Sequence, residues 1–156
     1  MISILALDPG KTTGFCYGAY AGDNLIIDPG EEVLTAGGLD AFIQSFISSG
    51  VPKYIIYEDF QFRQGVRTGL DLTPAKLIGI LELWKERDCG AYFYVQQPSV
   101  QGDKAFFNNE RLKELGAYWA HGKGHARSAT KHLLYWCKFG PGGQYIPQGT
   151  TIEMLD

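Results

Sequence analysis

Ile2-Ser3-Ile4-Leu5-Ala6-Leu7-Asp8-Pro9-Gly10 decides the fold. A short, nearly unbroken apolar run that stops at an acidic residue and a Pro-Gly turn reads as a strand buried on both faces. The pattern recurs at Tyr54-Ile55-Ile56-Tyr57-Glu58, and Ala91 to Val95 makes a third short strand. Between the first two runs, Thr13 to Tyr20 is rich in β-formers and reads as the second arm of a hairpin. Leu25 to Thr35 holds another strand, expected to break at the turn signal Asp28-Pro29-Gly30. Leu39, Phe42, Ile43, Phe46 and Ile47 recur at helical spacing, with Gly50 as a stop. Thr73-Pro74 opens a second helix over 73–87, with Thr73 as N-cap and Leu77, Ile80, Leu81 and Trp84 on one face. Ile78 and Leu83 add a second face, so this helix is expected to be covered on both sides. Asn109 to Trp119 and His125 to Phe139 read as helices around the loop His121-Gly-Lys-Gly124, and 60–72 as a loop. Strands alternating with crossovers long enough to join parallel neighbours give an α/β plan around one mixed sheet.

The chain of 156 residues is the size of one domain, and 45% hydrophobic against 20% charged residues supports a packed core. No apolar run is long enough to span a bilayer, and Asp8 interrupts the first apolar stretch, so neither a membrane span nor a signal peptide is expected. Cys16, Cys89 and Cys137 lack zinc-ligand spacing and read as reduced thiols, which fits a cytoplasmic protein. The net charge of −3 conceals an asymmetry: residues 1–52 hold one basic and six acidic residues, residues 101–140 seven basic and three acidic. The second segment is a candidate surface for nucleic acid; a merely solvated basic face is the alternative.

Asp8 and Glu58 end two buried strands, and open α/β sheets place ligands outside the carboxyl ends of their strands. If those strands are parallel neighbours, the two carboxylates converge and require a proton or a cation between them. Hard divalent cations with oxygen ligands suit such a pair; exposed strand ends that happen to be acidic are the alternative. Gly10 and Gly14 allow close approach beside Asp8, without the spacing of a Walker loop. On a helix from residue 125, His125, Ser128, Ala129 and His132 share one face, and that helix's N-terminus favours phosphate. A three-histidine zinc site from His121, His125 and His132 is a further alternative.

Leu7-Asp8-Pro9-Gly10-x-x-Thr13-Gly14, then Ile55-Ile56-Tyr57-Glu58, then the late helix opening His125-Ala126-Arg127-Ser128-Ala129, together resemble the RuvC-type Holliday junction resolvases. The likeness is closest to the short forms carried by bacteriophages and spans residues 2–139. It implies an RNase H-like fold, a five-stranded mixed β-sheet flanked by α-helices, over residues 1–139, with 140–156 as a tail or arm. It implies a homodimer that resolves four-way DNA junctions by paired nicks, using two Mg²⁺ or Mn²⁺ ions per active site. Asp8 and Glu58 match the metal ligands on the first strand and the second acidic strand, and His125 the first ligand of the last helix. Ser128 stands where the family carries an aspartate, so it joins Asp8, Glu58 and His125 at the catalytic position as a weak ligand. Such chemistry suits hydrolysis of a phosphodiester, where paired cations generate hydroxide and stabilise the leaving oxygen.

The loop beside this site carries Phe60 and Phe62, suited to wedging at opened bases, and Arg63 and Arg67, suited to phosphates. Lys104, Lys123, Arg127 and Lys131 extend a phosphate-tracking surface, and helix 73–87 is the expected dimer contact. Localisation in the cytoplasm follows, that of a bacterial host for a phage-encoded chain. Two rivals accompany this reading: another RNase H-like nuclease, and a non-catalytic junction-binding protein degenerate at Ser128. An actin-like sugar kinase would need a second domain that this length does not supply.

Overall fold

A computed structural model describes residues 1–48, 53–59, 71–87, 89–96, 106–139 and 150–155. Six strands form one mixed sheet: β1 (Ile2–Asp8), β2 (Thr13–Ala21), β3 (Asn24–Glu32), β4 (Lys53–Glu58), β5 (Ala91–Gln96) and β6 (Thr151–Met154), in the order β5-β4-β1-β2-β3-β6. β1, β2 and β3 form an antiparallel meander, while β4 lies parallel to β1 and β5 parallel to β4.

The period of two along β1 sorts its side chains between two cores. Leu5 and Leu7 pack with Ile55 and Tyr57 beneath α1 (Ala36–Ile47) and α2 (Thr73–Glu86), which contribute Leu39, Ile43, Leu77 and Leu81. Ile4 and Ala6 pack with Cys16, Ile56 and Leu25 beneath α4 (His125–Phe139), which contributes Ala129, Leu133, Leu134, Trp136 and Cys137. Asp8 and Glu58 continue the parity of Ala6 and Ile56, and so face α4. Burial raises the Cys16 thiol to about 12 and pushes the Cys137 thiol up as well, so both stay protonated and inert.

Five expectations change. The sheet has six strands rather than five, because Thr151–Met154 of the expected tail pairs in parallel with Asn24–Ile27 of β3. β3 also runs unbroken through Asp28-Pro29-Gly30. β6 reaches only as far as Ile27 in register, so among the described residues no strand pairs with the outer side of β3 at Pro29, and the Phe15 ring covers Gly30 from the neighbouring strand. The helix expected over 109–119 is the short α3 (Asn109–Glu114); Gly116, at φ 71°, reverses the chain and Ala117 N–H bonds back to the Leu112 carbonyl. Finally, Leu72 rather than Thr73 caps α2, and the Asp71 carboxylate accepts from the Thr73 N–H at 2.9 Å. Leu77 and Leu81 make α2's buried face, while Leu83 is exposed, so the helix is covered on one side and only partly on the other.

Polar contacts anchor α2 on two sides: Trp84 Nε1 donates to Asp40 of α1 at 2.7 Å, and the hydroxyl of Tyr57 on β4 donates to Glu82. The region expected as a DNA-contacting loop, with Phe60, Phe62, Arg63 and Arg67, lies outside the described residues, as does Lys104.

Candidate active site

The site is a row of residues across one end of the sheet, roofed by the first two turns of α4. β1 and β4 are in parallel register at Leu7 and Tyr57, so the next residues, Asp8 and Glu58, stand side by side at adjacent carboxyl ends. Glu58 pairs in register with Gln96 at the end of β5, while Asp8 pairs with Gly14 and Gly14 with Glu31. Gln96, Glu58, Asp8, Gly14 and Glu31 therefore run across five strands on the face that α4 covers.

Gly14 lets the helix come this close. A Cβ at this position would overlap the His125 carbonyl and approach the Ala126 nitrogen at 2.7 Å, which are backbone atoms that cannot swing aside. Glu31 holds the helix end: its carboxylate accepts from the Lys123 N–H at 2.8 Å and the Ala126 N–H at 3.1 Å. Desolvation pushes the Glu31 carboxyl up, but bonds from the backbone of Lys123, Ala126 and His125 outweigh it and hold the group below its ordinary value. The positive end of the helix, expected to favour phosphate, is thus already matched by a carboxylate of the chain itself.

The helix delivers three side chains to the row. His125 Nδ1 lies 3.7 Å from Asp8 Oδ2, with 41% of the His125 side chain and 18% of the Asp8 side chain exposed. Ser128 Oγ donates to Glu58 Oε2 at 3.3 Å. His132, fully buried, sets Nε2 3.1 Å from the same Glu58 oxygen and Nδ1 2.8 Å from Gln96 Oε1. The shared helix face read from the spacing of His125, Ser128 and His132 is therefore the face turned to the carboxylates. The zinc alternative fails: His121 is exposed and lies edge-on to Trp119, His125 sits at Asp8, and His132 is buried at Glu58 and Gln96.

Among the described residues no group of three or more His, Cys, Asp or Glu side chains closes into a complete metal-holding cluster. The donors nonetheless suit a hard divalent cation of the Mg²⁺ type, which is commonly held by one or two carboxylates with water and substrate phosphate oxygens filling the rest of its shell. Asp8 and Glu58 are the carboxylates that could hold such an ion, with His125 a nitrogen beside them. Ser128 gives Glu58 a hydrogen bond rather than adding a third charge.

Of the basic residues singled out, Lys123 is exposed two residues before α4 and Lys131 is half-buried on it. Arg127 is engaged within the fold. Its guanidinium donates to the carbonyls of Trp119 at 2.8 Å and His121 at 3.1 Å and lies over the Tyr118 ring. It thereby pins the 118–124 segment that leads into α4. Sequence reading passed over Glu31, Gln96 and the partners of His132. Gln96 carried a usable signal, since it ends the third apolar strand run just as Asp8 and Glu58 end theirs.

No family profile matches the sequence, and no curated protein matches it. Among solved structures, RuvC of T. thermophilus in complex with a Holliday junction substrate superposes with a TM-score of 0.64 at 16% identity, covering 88% of this chain and 96% of that one. A second T. thermophilus RuvC structure gives 0.60 at 15% identity over the same shares. The yeast mitochondrial Holliday junction resolvase Ydc2 gives 0.51 at 13%, covering 92% of this chain and 79% of that one. The chain has the α/β fold of these resolvases, a mixed sheet flanked by helices.

Proposed function

We propose that this chain is a RuvC-type endonuclease that binds four-way DNA junctions and resolves them by hydrolysing phosphodiester bonds with the help of Mg²⁺ or Mn²⁺. The observation that carries the reading is the convergence of Asp8 and Glu58 at adjacent parallel strand ends, roofed by His125 and Ser128, on the fold of Holliday junction resolvases. Two carboxylates so placed bind a cation readily and bind a bare phosphate poorly, so a cation makes this row a phosphodiester site.

Asp8 and Glu58 would hold the cation, with His125 as the nitrogen donor at its edge; when bound, the cation supplies an activated water and charge neutralisation at the scissile phosphate. The chain's own residues do the rest. Glu31 and Gly14 set the height and direction of α4, so that His125 stands at Asp8. His125, half exposed, is the group able to orient or deprotonate a water on the DNA side. Lys123 and Lys131, together with Lys104, Phe60, Phe62, Arg63 and Arg67, would supply phosphate and base contacts to the branched substrate. Pairing of two copies through the exposed edge of α2 would present two such sites to the two-fold symmetric junction.

Asp8→Asn and Glu58→Gln test the assignment. Each removes a charge without shortening the side chain, so each is expected to abolish cleavage while the affinity for a labelled four-way junction stays within a few fold of wild type. Wild-type cleavage by either variant would remove these carboxylates from the chemistry. Junction binding with no cleavage by the unmodified chain in either metal would favour the non-catalytic reading.

A further inference from the structure

Glu58 is gripped by α4. Its Oε2 accepts from Ser128 Oγ and faces His132 Nε2, and both partners are buried on α4. The far nitrogen of the same ring is anchored by Gln96, a residue of the next strand in register with Glu58 itself. Four residues from β4, β5 and α4 thus form one connected polar chain, Gln96–His132–Glu58–Ser128, buried except at Gln96, which is half-buried.

A buried polar chain of this kind is costly unless every member is satisfied, and an apolar residue at the fully buried position 132 would avoid that cost. We propose that His132 is a positioning residue: it fixes the rotamer of Glu58, and Gln96 in turn fixes the tilt of the His132 ring, so that the carboxylate is presented to a divalent cation in one orientation. The proposal rests on the reading of Asp8 and Glu58 as cation ligands, and goes beyond it by giving a role to two residues that do not touch the cation.

The proton inventory allows this. Opposite an ionised Glu58, Nε2 carries a hydrogen. Nδ1 then either donates to the Gln96 carbonyl oxygen or, with the amide turned over, accepts from its NH₂ group. Either arrangement leaves Nε2–H pointing at Glu58 Oε2. Holding one oxygen in this way matters more here than in a site with three carboxylates. Ser128 brings no charge, so the geometry of Asp8 and Glu58 sets most of the affinity.

The test is Mn²⁺ binding to the full chain without DNA, followed by calorimetry, beside cleavage of a four-way junction at saturating Mn²⁺. His132→Leu should weaken Mn²⁺ binding about 10–100-fold, the range seen when the supporting partner of a ligand is lost. His132→Gln keeps an N–H donor at similar reach and should recover most of that affinity. Gln96→Leu lies half-buried on an edge strand, where it will not prevent folding, and should weaken Mn²⁺ binding in the same direction by less. A role in packing alone predicts a different pattern: wild-type Mn²⁺ affinity in Gln96→Leu and in whichever His132 variants fold, and that result would overturn the proposal. A wild-type chain that binds Mn²⁺ but cuts no junction would overturn the nuclease reading and leave the positioning role standing. A wild-type chain that binds no divalent cation would overturn both.

Discussion

Ser128→Asp places a second carboxylate against Glu58, and its effect should change sign with the metal. The Ser128 hydroxyl lies 3.3 Å from Glu58 Oε2. Two unit charges at that separation repel by about 5 kcal/mol at an effective dielectric constant of about 20. The pair can escape part of this by taking up one proton, which for a carboxyl of ordinary pKa costs about 4 kcal/mol near pH 7 and about 1.5 kcal/mol near pH 5. Rotation of the new side chain relieves some of the remainder, so without metal the variant should be less stable by about 1–4 kcal/mol near pH 7. For a chain of this size that is a fall of about 3–12 °C in melting temperature, shrinking as the pH is lowered towards 5. With millimolar Mn²⁺ the added charge becomes a ligand, so the variant should be stabilised more than wild type, and junction cleavage should rise in both Mg²⁺ and Mn²⁺. The assay is a pair of thermal melts, in chelator and in Mn²⁺, with cleavage rates alongside. Equal melting of wild type and variant in chelator, with no added stabilisation by Mn²⁺, would refute the placement of Ser128 at the carboxylate pair.

Two further outcomes follow from the helix end. Glu31→Gln should lower the melting temperature by about 3–6 °C, the loss of a charged acceptor for two backbone N–H groups. Because the folded-state carboxyl titrates below its ordinary value of 4.5, its stabilisation is complete above that value and is lost as the pH falls through the lower folded-state value; melts from pH 6 to 3 should show that component vanish in the variant. Gly14→Ala should cost about 1–3 kcal/mol by driving a methyl group into the His125 carbonyl, and it should slow cleavage by lifting His125 away from Asp8. Wild-type melting and cleavage of Gly14→Ala would show that the helix end is not held as tightly as this packing requires.

The strands were legible wherever burial wrote an apolar run, as at Ile4–Leu7 and Tyr54–Tyr57, because a strand covered on both faces has no polar alternation to confuse. The carboxylates were legible for the same reason, since a charge that stops such a run must lie at the strand's end. Local signals misled where tertiary pairing outweighed them. Asp28-Pro29-Gly30 has the chemistry of a turn, yet pairing with β2 and the Phe15 ring over Gly30 keep it extended. Thr151–Met154 carries little pattern of its own and is a strand because the edge of β3 accepts it. At the site, the spacing of His125, Ser128 and His132 showed a shared helix face but not what it met. That needed the register of β4 with β5, which brings Gln96 level with Glu58, and the reach of Glu31 from β3 to the backbone of α4. Arg127 shows a role that its charge did not reveal: its Nη1 donates to two backbone carbonyls that lead into α4.

The central claim is that this row of residues cuts branched DNA. Incubating the chain with a synthetic four-way junction and with a linear duplex of the same sequence, in Mg²⁺ and Mn²⁺ separately, tests it most directly. The account predicts paired nicks near the branch point, faster in Mn²⁺ than in Mg²⁺ because His125 supplies a nitrogen donor, with the linear duplex left intact. An intact junction in both metals, or equal cutting of junction and duplex, would contradict it.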